Sequence, residues 1–570
     1  MKAMEKRFLS SVLPLSLALS ACSLFANPSS TYEDDISLRE KTYSLINCDS
    51  DYSLSSTSIN AYFVDDGALP FVDVSSFLSS LDGLYRTEYF SYSTLSSRLC
   101  SFSWRSAEQT YSLRIDDKAN TITASSMAFF DLVYSSSTTN YNLALKTSEV
   151  RGSEGKPKVF DLGAYGIEIY RKKNLVLLPF CVANTIFCSS HYFNLYFNGS
   201  AFYGSYFGFS MDEEAAKKAF ASNGLGGGKI DEDVASMNAK HFLFVMDNYY
   251  GLKEYYGISS FEEYLGESIV SSLSSPEEET SRQAYMDALC YKLDEMHTSF
   301  DYPSFYYSSN GQAQVRYGER RQNYLALYNE LNASYKENYP DDEPLRFFGD
   351  TAIIVSQYPI ATAAKSELYD DSGKLKEDAY AKDSFFFMKE MLSRIEKHGS
   401  IKHILVDLSR NGGGNVGAVF RVLGLMSDND IVYGSQNTLS SSSYAFSMKV
   451  DADLDGDYDD DDAYGDYEWG LLTSPLTFSA ANLWACMAAY SGSAKIFGLA
   501  SGGGACSIVG FVNADGSSFH ISGPSMMANA KMNDDGTVTY GEVQSGARLD
   551  KELDAEYFYG HDDKLDALFD

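Results

Sequence analysis

The sequence predicts an α/β protein whose C-terminal half is layered, with an α+β region in front of it. Two helical stripes, at residues 281–296 and 384–398, repeat apolar side chains at intervals of three and four. An apolar strand at 404–408 then enters a run of glycines, and a further helix follows at 416–426. Helix, strand, glycine loop and helix in this order are typical of a layered α/β domain.

The length and charge of the chain limit its organisation and its partners. A chain of 570 residues is too long for one ordinary core. We expect an accessory domain at 22–222, a glycine-rich linker at 223–230 and a second main domain at 231–570. The formal net charge of −33 argues against nucleic acid as a partner, because nucleic-acid binding needs a basic surface.

The accessory region reads as a set of short strands with few helices. Alternating apolar and polar residues at 110–115 and 121–124 predict two of the strands. Residues 69–77 resemble residues 178–186, and both place Pro-Phe at a strand end before a short helix. Two similar α+β modules would explain this repeat. No catalytic set of residues is evident in this region.

The N-terminus has the features of a bacterial lipoprotein signal. Lys2, Lys6 and Arg7 precede a short apolar stretch at 8–19, which is typical of a secretory signal peptide. The stretch ends in Leu19-Ser20-Ala21-Cys22, which resembles the lipobox whose cysteine is lipidated. We therefore expect a signal peptide at 1–21 and an extracytoplasmic protein, anchored to the bacterial cell membrane through Cys22.

Two distant segments together outline a site for acyl transfer. Ser479 precedes an apolar helix, whose N-terminal N–H groups and dipole favour a negative charge. The strand at 404–408 enters the glycine loop, where backbone N–H groups can surround a developing oxyanion. Such a site also needs a base, and histidine is the side chain best suited near neutral pH. His297 ends an apolar helix; from spacing alone, stabilisation of the helix C-terminus explains it more readily than catalysis does.

Four short motifs occur in the order found in one family of serine peptidases. They are Leu293-Asp294-Glu295-Met296-His297-Thr298, Asp407-Leu408-Ser409-Arg410-Asn411-Gly412-Gly413-Gly414, Phe478-Ser479-Ala480-Ala481-Asn482 and Gly498-Leu499-Ala500-Ser501-Gly502-Gly503-Gly504. Through these motifs, residues 235–570 resemble the tail-specific (C-terminal processing) and tricorn-core family. The resemblance implies a Clp protease/crotonase-like spiral catalytic core that hydrolyses peptide bonds in peptide or protein substrates.

The same resemblance implies a role for each site residue. Ser479 would be the nucleophile, and the N–H groups of Gly413 and Ala480 would form the oxyanion hole. The processing branch uses a lysine about 25 residues after its serine, but residues 501–505 contain no lysine. The tricorn-like branch uses a histidine in an Asp-x-x-His-Thr motif, which His297 matches.

The residue that would orient the base matches less well. In the tricorn-like branch this residue is a glutamate near the C-terminus, before a Gly-x-x-Pro-Asp segment. Here it corresponds either to Glu542, shifted by one residue, or to Gln544, and Leu549 replaces the proline. Two alternatives stay open: a catalytically inactive surface lipoprotein that binds peptides or glycans, and an esterase that uses the same residues.

An acidic segment shortly before Ser479 follows the template of a calcium-binding loop. Glycine at residue 456 occupies position 6, where such loops turn sharply. The expected calcium ligands are Asp451, Asp453, Asp455, Asp457, Asp459 and Asp462. The alternative is a solvated acidic loop, which is common in so negative a chain. The predicted calcium is structural, and no cofactor is expected for catalysis.

Overall fold

The computed structural model describes residues 33–49, 51–134, 144–308, 313–357, 359–427, 431–458 and 463–570. The predicted signal peptide at 1–21 and Cys22 lie outside the described residues. Within the described part of the chain, no helix combines the length and the apolar character needed to cross a membrane.

The first region consists of strands with a few short helices. Its elements are β1 (Leu38–Asn47), β2 (Ser58–Val64), β3 (Pro70–Asp73), α1 (Val74–Ser80), β4 (Ser91–Ser96), β5 (Leu99–Arg105), β6 (Thr110–Asp116), β7 (Thr121–Ala124), β8 (Leu145–Ser153), β9 (Lys158–Asp161), β10 (Tyr170–Lys172), β11 (Leu175–Pro179), α2 (Phe180–Phe187), β12 (Phe193–Phe197), β13 (Ala201–Tyr206) and α3 (Glu213–Ala221).

Two sheets organise this region. One has seven strands in the order β10-β11-β3-β2-β1-β13-β12, and the other has five in the order β4-β5-β6-β7-β9. In each of the two similar stretches, a strand containing proline runs directly into a helix, β3 into α1 and β11 into α2. β3 and β11 pair antiparallel, with Leu178 opposite Val72, so the two stretches lie side by side in one sheet.

The second region alternates helices and strands. Its elements are α4 (Glu232–Tyr249), α5 (Phe261–Leu265), α6 (Glu267–Leu273), α7 (Glu278–Met286), a π-helical segment (Asp287–Leu293), β14 (Ser299–Tyr302), α8 (Glu319–Asn338), β15 (Leu345–Phe348), β16 (Thr351–Val355), α9 (Lys365–Leu368), α10 (Ser384–His398), β17 (His403–Asp407), α11 (Val416–Gly424), β18 (Ile431–Asn437), β19 (Ser442–Val450), β20 (Glu468–Thr473), α12 (Ala480–Ser491), β21 (Lys495–Gly498), β22 (Cys506–Val512), β23 (Ser518–Met532), β24 (Val538–Gly541), β25 (Lys551–Glu552) and α13 (Asp562–Asp566).

The predicted α/β class is confirmed by a six-stranded sheet in the order β15-β16-β17-β20-β21-β25. All its neighbouring strands run parallel except the β15–β16 pair. β16 and β17 are continuous apolar runs because helices cover both faces of a parallel sheet. Ser479 and the glycine loop follow β20 and β17, so both lie at the carboxyl edge of adjacent strands.

The two regions are joined through a shared sheet and a shared core. β8, from the first region, pairs with β19 and extends the sheet β14-β23-β18-β19-β8, and β22 and β24 also pair with β23. One hydrophobic cluster includes residues of the first region together with α4, β22 and β23. In the predicted linker, Gly224 N–H donates to the carbonyl of Asn198 at 2.9 Å, and Gly228 N–H to that of Tyr306 at 2.8 Å. Backbone hydrogen bonds therefore hold the 223–230 segment on the protein.

The helix predicted over 281–296 ends earlier than its apolar pattern suggests. It passes into the π-helical segment and stops at Leu293, and Asp294 adopts a left-handed conformation with φ of 50°. His297 therefore lies in a loop between the helix and β14, and the expectation that it ends the helix is wrong. The physical reason is that the Asp294 and Glu295 carboxylates bind backbone N–H groups outside the helix.

Candidate active site

Ser479 occupies a sharp turn between β20 and α12. Its backbone has φ of 54° and ψ of −123°, which is unusual for a residue with a side chain. The preceding residues hold the turn in place, since the Thr477 hydroxyl donates to the carbonyl of Leu408 at 2.7 Å, at the end of β17. Strained backbone of this kind persists only where the surroundings enforce it, and it is concentrated at functional sites. The turn leaves Ser479 partly exposed at the mouth of α12.

The glycine loop after β17 packs directly against this serine. Gly413 has φ of +103°, and a Cβ atom added there would lie 2.8 Å from both the Ser479 Cβ and the Ala480 N, and 2.6 Å from the Phe478 carbonyl oxygen. Ala480 is the first residue of α12, so its N–H has no carbonyl one turn earlier in the helix to bind. The structure thus brings Gly413, Ser479 and Ala480 together. The Gly413 N–H itself donates to Asn411 Oδ1 at 2.9 Å.

A second glycine loop, residues 502–504, closes around Ser479 from the other side. The Ser479 N–H donates to the carbonyl of Gly503 at 2.8 Å. A Cβ atom at Gly504 would lie only 2.8 Å from the Ser479 N, so this approach requires glycine. Gln544 holds the loop, because its Oε1 accepts from the N–H groups of Gly504 at 3.2 Å and Ala505 at 2.8 Å. Gln544 therefore holds this loop in place beside Ser479.

His297 lies beside the turn at Ser479 and is buried. Its ring packs edge-on against Phe478, the residue before Ser479, with ring centroids 4.7 Å apart. Among the described residues, its Nδ1 has no hydrogen-bond partner, and no hydrogen bond joins its ring to the Ser479 hydroxyl. Burial lowers the pKa of His297; the charge of Glu295 opposes this shift and His520 adds to it. The imidazole is therefore held neutral near the serine, the state in which it can accept a proton.

The carboxylate beside His297 belongs to Glu295, a residue that the sequence did not single out for a role. Glu295 is buried. One of its carboxylate oxygens accepts from the backbone N–H of His297 at 3.0 Å, and the other accepts from the Thr298 hydroxyl at 2.7 Å. In the sequence, only its position two residues before His297 could have indicated a role for Glu295. These hydrogen bonds fix the backbone at residues 297 and 298, and so the position of the imidazole.

Arg321, in the first turn of α8, clamps the same loop from outside. Its Nη2 donates to the carbonyls of Glu295 and Thr298, both at 2.8 Å. The Asp294 carboxylate in turn accepts from the backbone N–H groups of Arg320 and Arg321 at the start of the helix. No local sequence pattern indicates this contact, because it joins segments on either side of a separate strand. α8 therefore supports the loop that carries His297.

Glu542 lies apart from this arrangement. Its side chain is exposed, and its Oε1 accepts from the Ser545 N–H at 2.9 Å within a surface turn. Among the described residues, no hydrogen bond or ion pair connects Glu542 with His297. The structure therefore does not bring the expected orienting residue to His297, and Glu295 is the carboxylate that lies beside it.

The acidic loop joins β19 to β20, the strand that leads to Ser479. The carboxylates of Asp451, Asp453 and Asp455 each offer an oxygen within 4.8 Å of the others. Asp451 is buried and accepts from the N–H groups of Leu454 and Gly456, which curls the loop around it. This donor set suits calcium, which prefers carboxylate and carbonyl oxygens. The expected ligands Asp459 and Asp462 lie outside the described residues, so calcium binding stays a prediction.

Comparisons with known proteins give weak likenesses. No protein-family model matches the chain, and no curated protein matches its sequence. Among solved structures, the mature CPAF complexed with lactacystin is similar over 59% of this chain and 97% of its own, with TM-score 0.37 and 11% identity. A lipoprotein from Streptococcus agalactiae is similar over 51% and 86%, with TM-score 0.29 and 14% identity.

The photosystem II D1 C-terminal processing protease is similar over 36% of this chain, with TM-score 0.25 and 15% identity. The match spans 43% of that protease, less than half of its length. At such identities and TM-scores these likenesses carry no argument about activity.

Proposed function

We propose that this chain is a serine peptidase in which Ser479 is the nucleophile and His297 the base. One observation carries the proposal: Ser479 stands on a strained turn at a helix N-terminus, between two close-packed glycine loops, and a buried histidine lies against the preceding residue. A serine that served only to cap the helix would not need this backbone strain. The order of the four sequence motifs supports the same assignment.

In the proposed reaction, His297 accepts the hydroxyl proton of Ser479 as the oxygen bonds to the peptide carbonyl carbon. The resulting oxyanion is stabilised by the Ala480 N–H, which has no partner within its helix. His297 then gives the proton to the leaving amine, and the acyl-enzyme forms as the C–N bond breaks. Water, deprotonated by His297, releases the acid and restores Ser479.

Two local movements must accompany substrate binding. The Gly413 N–H is bound to Asn411 Oδ1, so the loop must turn this N–H towards the substrate if it is to stabilise the oxyanion. The His297 ring must rotate from Phe478 towards the Ser479 hydroxyl. Catalytic hydrogen bonds often form only in the complex with substrate, so both movements are compatible with the mechanism.

The experiment uses the soluble protein that begins after Cys22, compared with its Ser479→Ala variant, on a mixed peptide library. We expect cleavage by the parent and none by the variant, since removal of the nucleophile costs several orders of magnitude in rate. If neither protein cleaves but both retain the same peptides in a pull-down, the binding-lipoprotein alternative replaces the peptidase. If the parent cleaves only ester substrates, the esterase alternative applies.

The proposed location depends on the lipobox-like sequence at Cys22 alone. We expect labelled palmitate to be incorporated into the parent expressed in bacteria, and the protein to sediment with membranes. Cys22→Ser should lose the label and become soluble outside the cytoplasm. Equal labelling of both proteins would show that Cys22 is not the anchor.

A further inference from the structure

The glycine loop beside Ser479 depends on its neighbours for its position, because residues 412–414 have no side chains with which to anchor it. The two residues before Asn411, where the loop starts, are buried. Ser409 is 0% exposed and Arg410 is 7% exposed. Burying a charged group is costly unless hydrogen bonds compensate it, so the interior around Arg410 must bind its guanidinium.

Arg410 is held by α8 and by the C-terminal segment. Its guanidinium carbon lies 3.7 Å from the ring centroid of Tyr335, and its Nη1 donates to Asn332 Oδ1 at 2.9 Å; both of these residues belong to α8. Its Nε donates at 2.9 Å to the hydroxyl of Tyr559, which is 2% exposed and lies between β25 and α13. The rings of Tyr335 and Tyr559 pack edge-on, with centroids 5.2 Å apart. Two elements distant in sequence therefore meet at the side chain that precedes the glycine loop.

The Tyr559 hydroxyl connects Arg410 with the carboxylate of Asp407, the last residue of β17. The Ser409 hydroxyl donates to Asp407 Oδ1, and it lies 2.8 Å from the Tyr559 hydroxyl. Because the proton of Ser409 is engaged by Asp407, the Tyr559 hydroxyl donates to Ser409. Burial raises the pKa of Tyr559, so this hydroxyl keeps its proton. A chain of hydrogen bonds thus runs from a buried cation to a buried carboxylate, and the bonds of such a chain strengthen one another.

The same stretch of chain is bound to the turn that carries Ser479. The Ser474 hydroxyl, just after β20, donates to the carbonyl of Ser409, as the Thr477 hydroxyl does to that of Leu408. The backbone at residues 408–409 thus contacts the serine turn, while the side chains at 409 and 410 are bound to Tyr559. A shift of this stretch would change the distance between the glycine loop and Ser479.

We propose that Tyr559 is a positioning residue of the peptidase, which acts through Ser409 and Arg410 on the glycine loop. By fixing the stretch from which the loop starts, Tyr559 sets where the Gly413 N–H can meet the oxyanion that forms at Ser479. Tyr559 itself does not contact the reacting atoms. This inference rests on the proposed function for its effect on the rate, whereas its effect on the loop is independent of whether Ser479 is active.

The test is Tyr559→Phe in the soluble protein that begins after Cys22, a change that removes the hydroxyl and keeps the ring. We expect kcat to fall about tenfold with little change in KM, because the loop acts on the oxyanion rather than on the bound peptide. Tyr339→Phe is the matched control. The Tyr339 hydroxyl also binds the C-terminal segment, since it accepts from the Gly560 N–H at 2.9 Å and donates to Asp562 at 2.6 Å, and Arg346 lies over its ring. It should leave kcat nearly unchanged.

Hydrogen exchange separates this proposal from the proposed peptidase. Mass spectrometry measures the exchange of the backbone amides at residues 408–415 in the parent and in both variants. We expect faster exchange in Tyr559→Phe and exchange like that of the parent in Tyr339→Phe, because only Tyr559 binds this stretch.

The outcomes distinguish the two proposals. If the parent cleaves peptides and Tyr559→Phe has the kcat of Tyr339→Phe, or is impaired through KM alone, the inference about Tyr559 is overturned and the peptidase stands. If the parent cleaves nothing, the proposed function fails and exchange alone decides. Faster exchange in Tyr559→Phe than in Tyr339→Phe then supports the fixing of the loop by Tyr559, and equal exchange overturns it.

Discussion

Gly413→Ala tests the packing around the candidate nucleophile most directly. The new Cβ would lie 2.6 Å from the Phe478 carbonyl oxygen and 2.8 Å from the Ser479 Cβ, well inside an ordinary contact of 3.4 Å or more. The backbone at φ of +103° adds strain of about 1–2 kcal/mol for a residue with a side chain. The contacts can relax only if the glycine loop or the serine moves by more than half an ångström.

Such a movement should reduce activity far more than stability. A misplacement of about 1 Å can cost on the order of 100-fold in rate, so we expect kcat/KM to fall by about that factor or more. Gly412→Ala is the neighbouring comparison, since its Cβ would meet only the Tyr324 hydroxyl, at 3.4 Å. It should lose far less activity than Gly413→Ala.

The assay is peptide hydrolysis by both variants, with circular dichroism and thermal unfolding to show that each is folded. The result that refutes the reasoning is a folded Gly413→Ala protein with the activity of Gly412→Ala. That outcome would mean that the glycine loop beside Ser479 does not contribute to catalysis.

Three further predictions concern the proposed base and the acidic loop. Because burial lowers the pKa of His297, the acid limb of the pH profile of kcat/KM should lie below pH 6.5. Glu295→Gln removes the charge that opposes this shift, so it should move the acid limb to still lower pH and reduce the maximum kcat/KM. An acid limb that does not move would exclude an effect of Glu295 on the proposed base. Arg321→Met leaves the carbonyls of Glu295 and Thr298 without their donor, so kcat should fall about tenfold with little change in KM. An unchanged kcat would show that Arg321 does not position the loop that carries His297. Calcium at about 1 mM should raise the Tm of the parent by about 2 °C or more, and a chelator should reverse this rise. The Tm of Asp451→Asn should not respond to calcium. Equal responses of the two proteins would show that the acidic segment is a solvated loop.

Elements with strong local signals agree with their prediction from sequence. The helix at 384–398 has the predicted bounds, because Asp383 caps its start and Gly399 follows its end with φ of 70°. The strand predicted at 404–408 also agrees, since it is observed at His403–Asp407 and a short apolar run suits a buried parallel strand. Such signals are contained within a few residues, so no knowledge of distant contacts is needed.

The elements that were predicted less well depend on distant contacts. The helix before His297 ends early, because the Asp294 carboxylate binds the start of α8, more than twenty residues further along the chain. β8 lies in the first region by sequence but completes a sheet of the second. Neither partner can be recognised from the sequence around the element itself.

The sequence by itself determined the α/β class and the local character of the site: a serine at a helix mouth, a glycine loop after a buried strand, and a histidine in a matching motif. The serine and the glycine loop follow from nearest-neighbour chemistry, namely apolar periodicity, helix capping and the conformational freedom of glycine. The histidine was singled out by the resemblance of its motif to the peptidase family. Only the tertiary structure decided that Glu295 rather than Glu542 lies beside His297, that Gln544 binds the second glycine loop, and that Arg321 of α8 binds the loop that carries His297. The reason is that hydrogen bonding and burial at these positions depend on segments far apart in the chain, and folding alone brings those segments together.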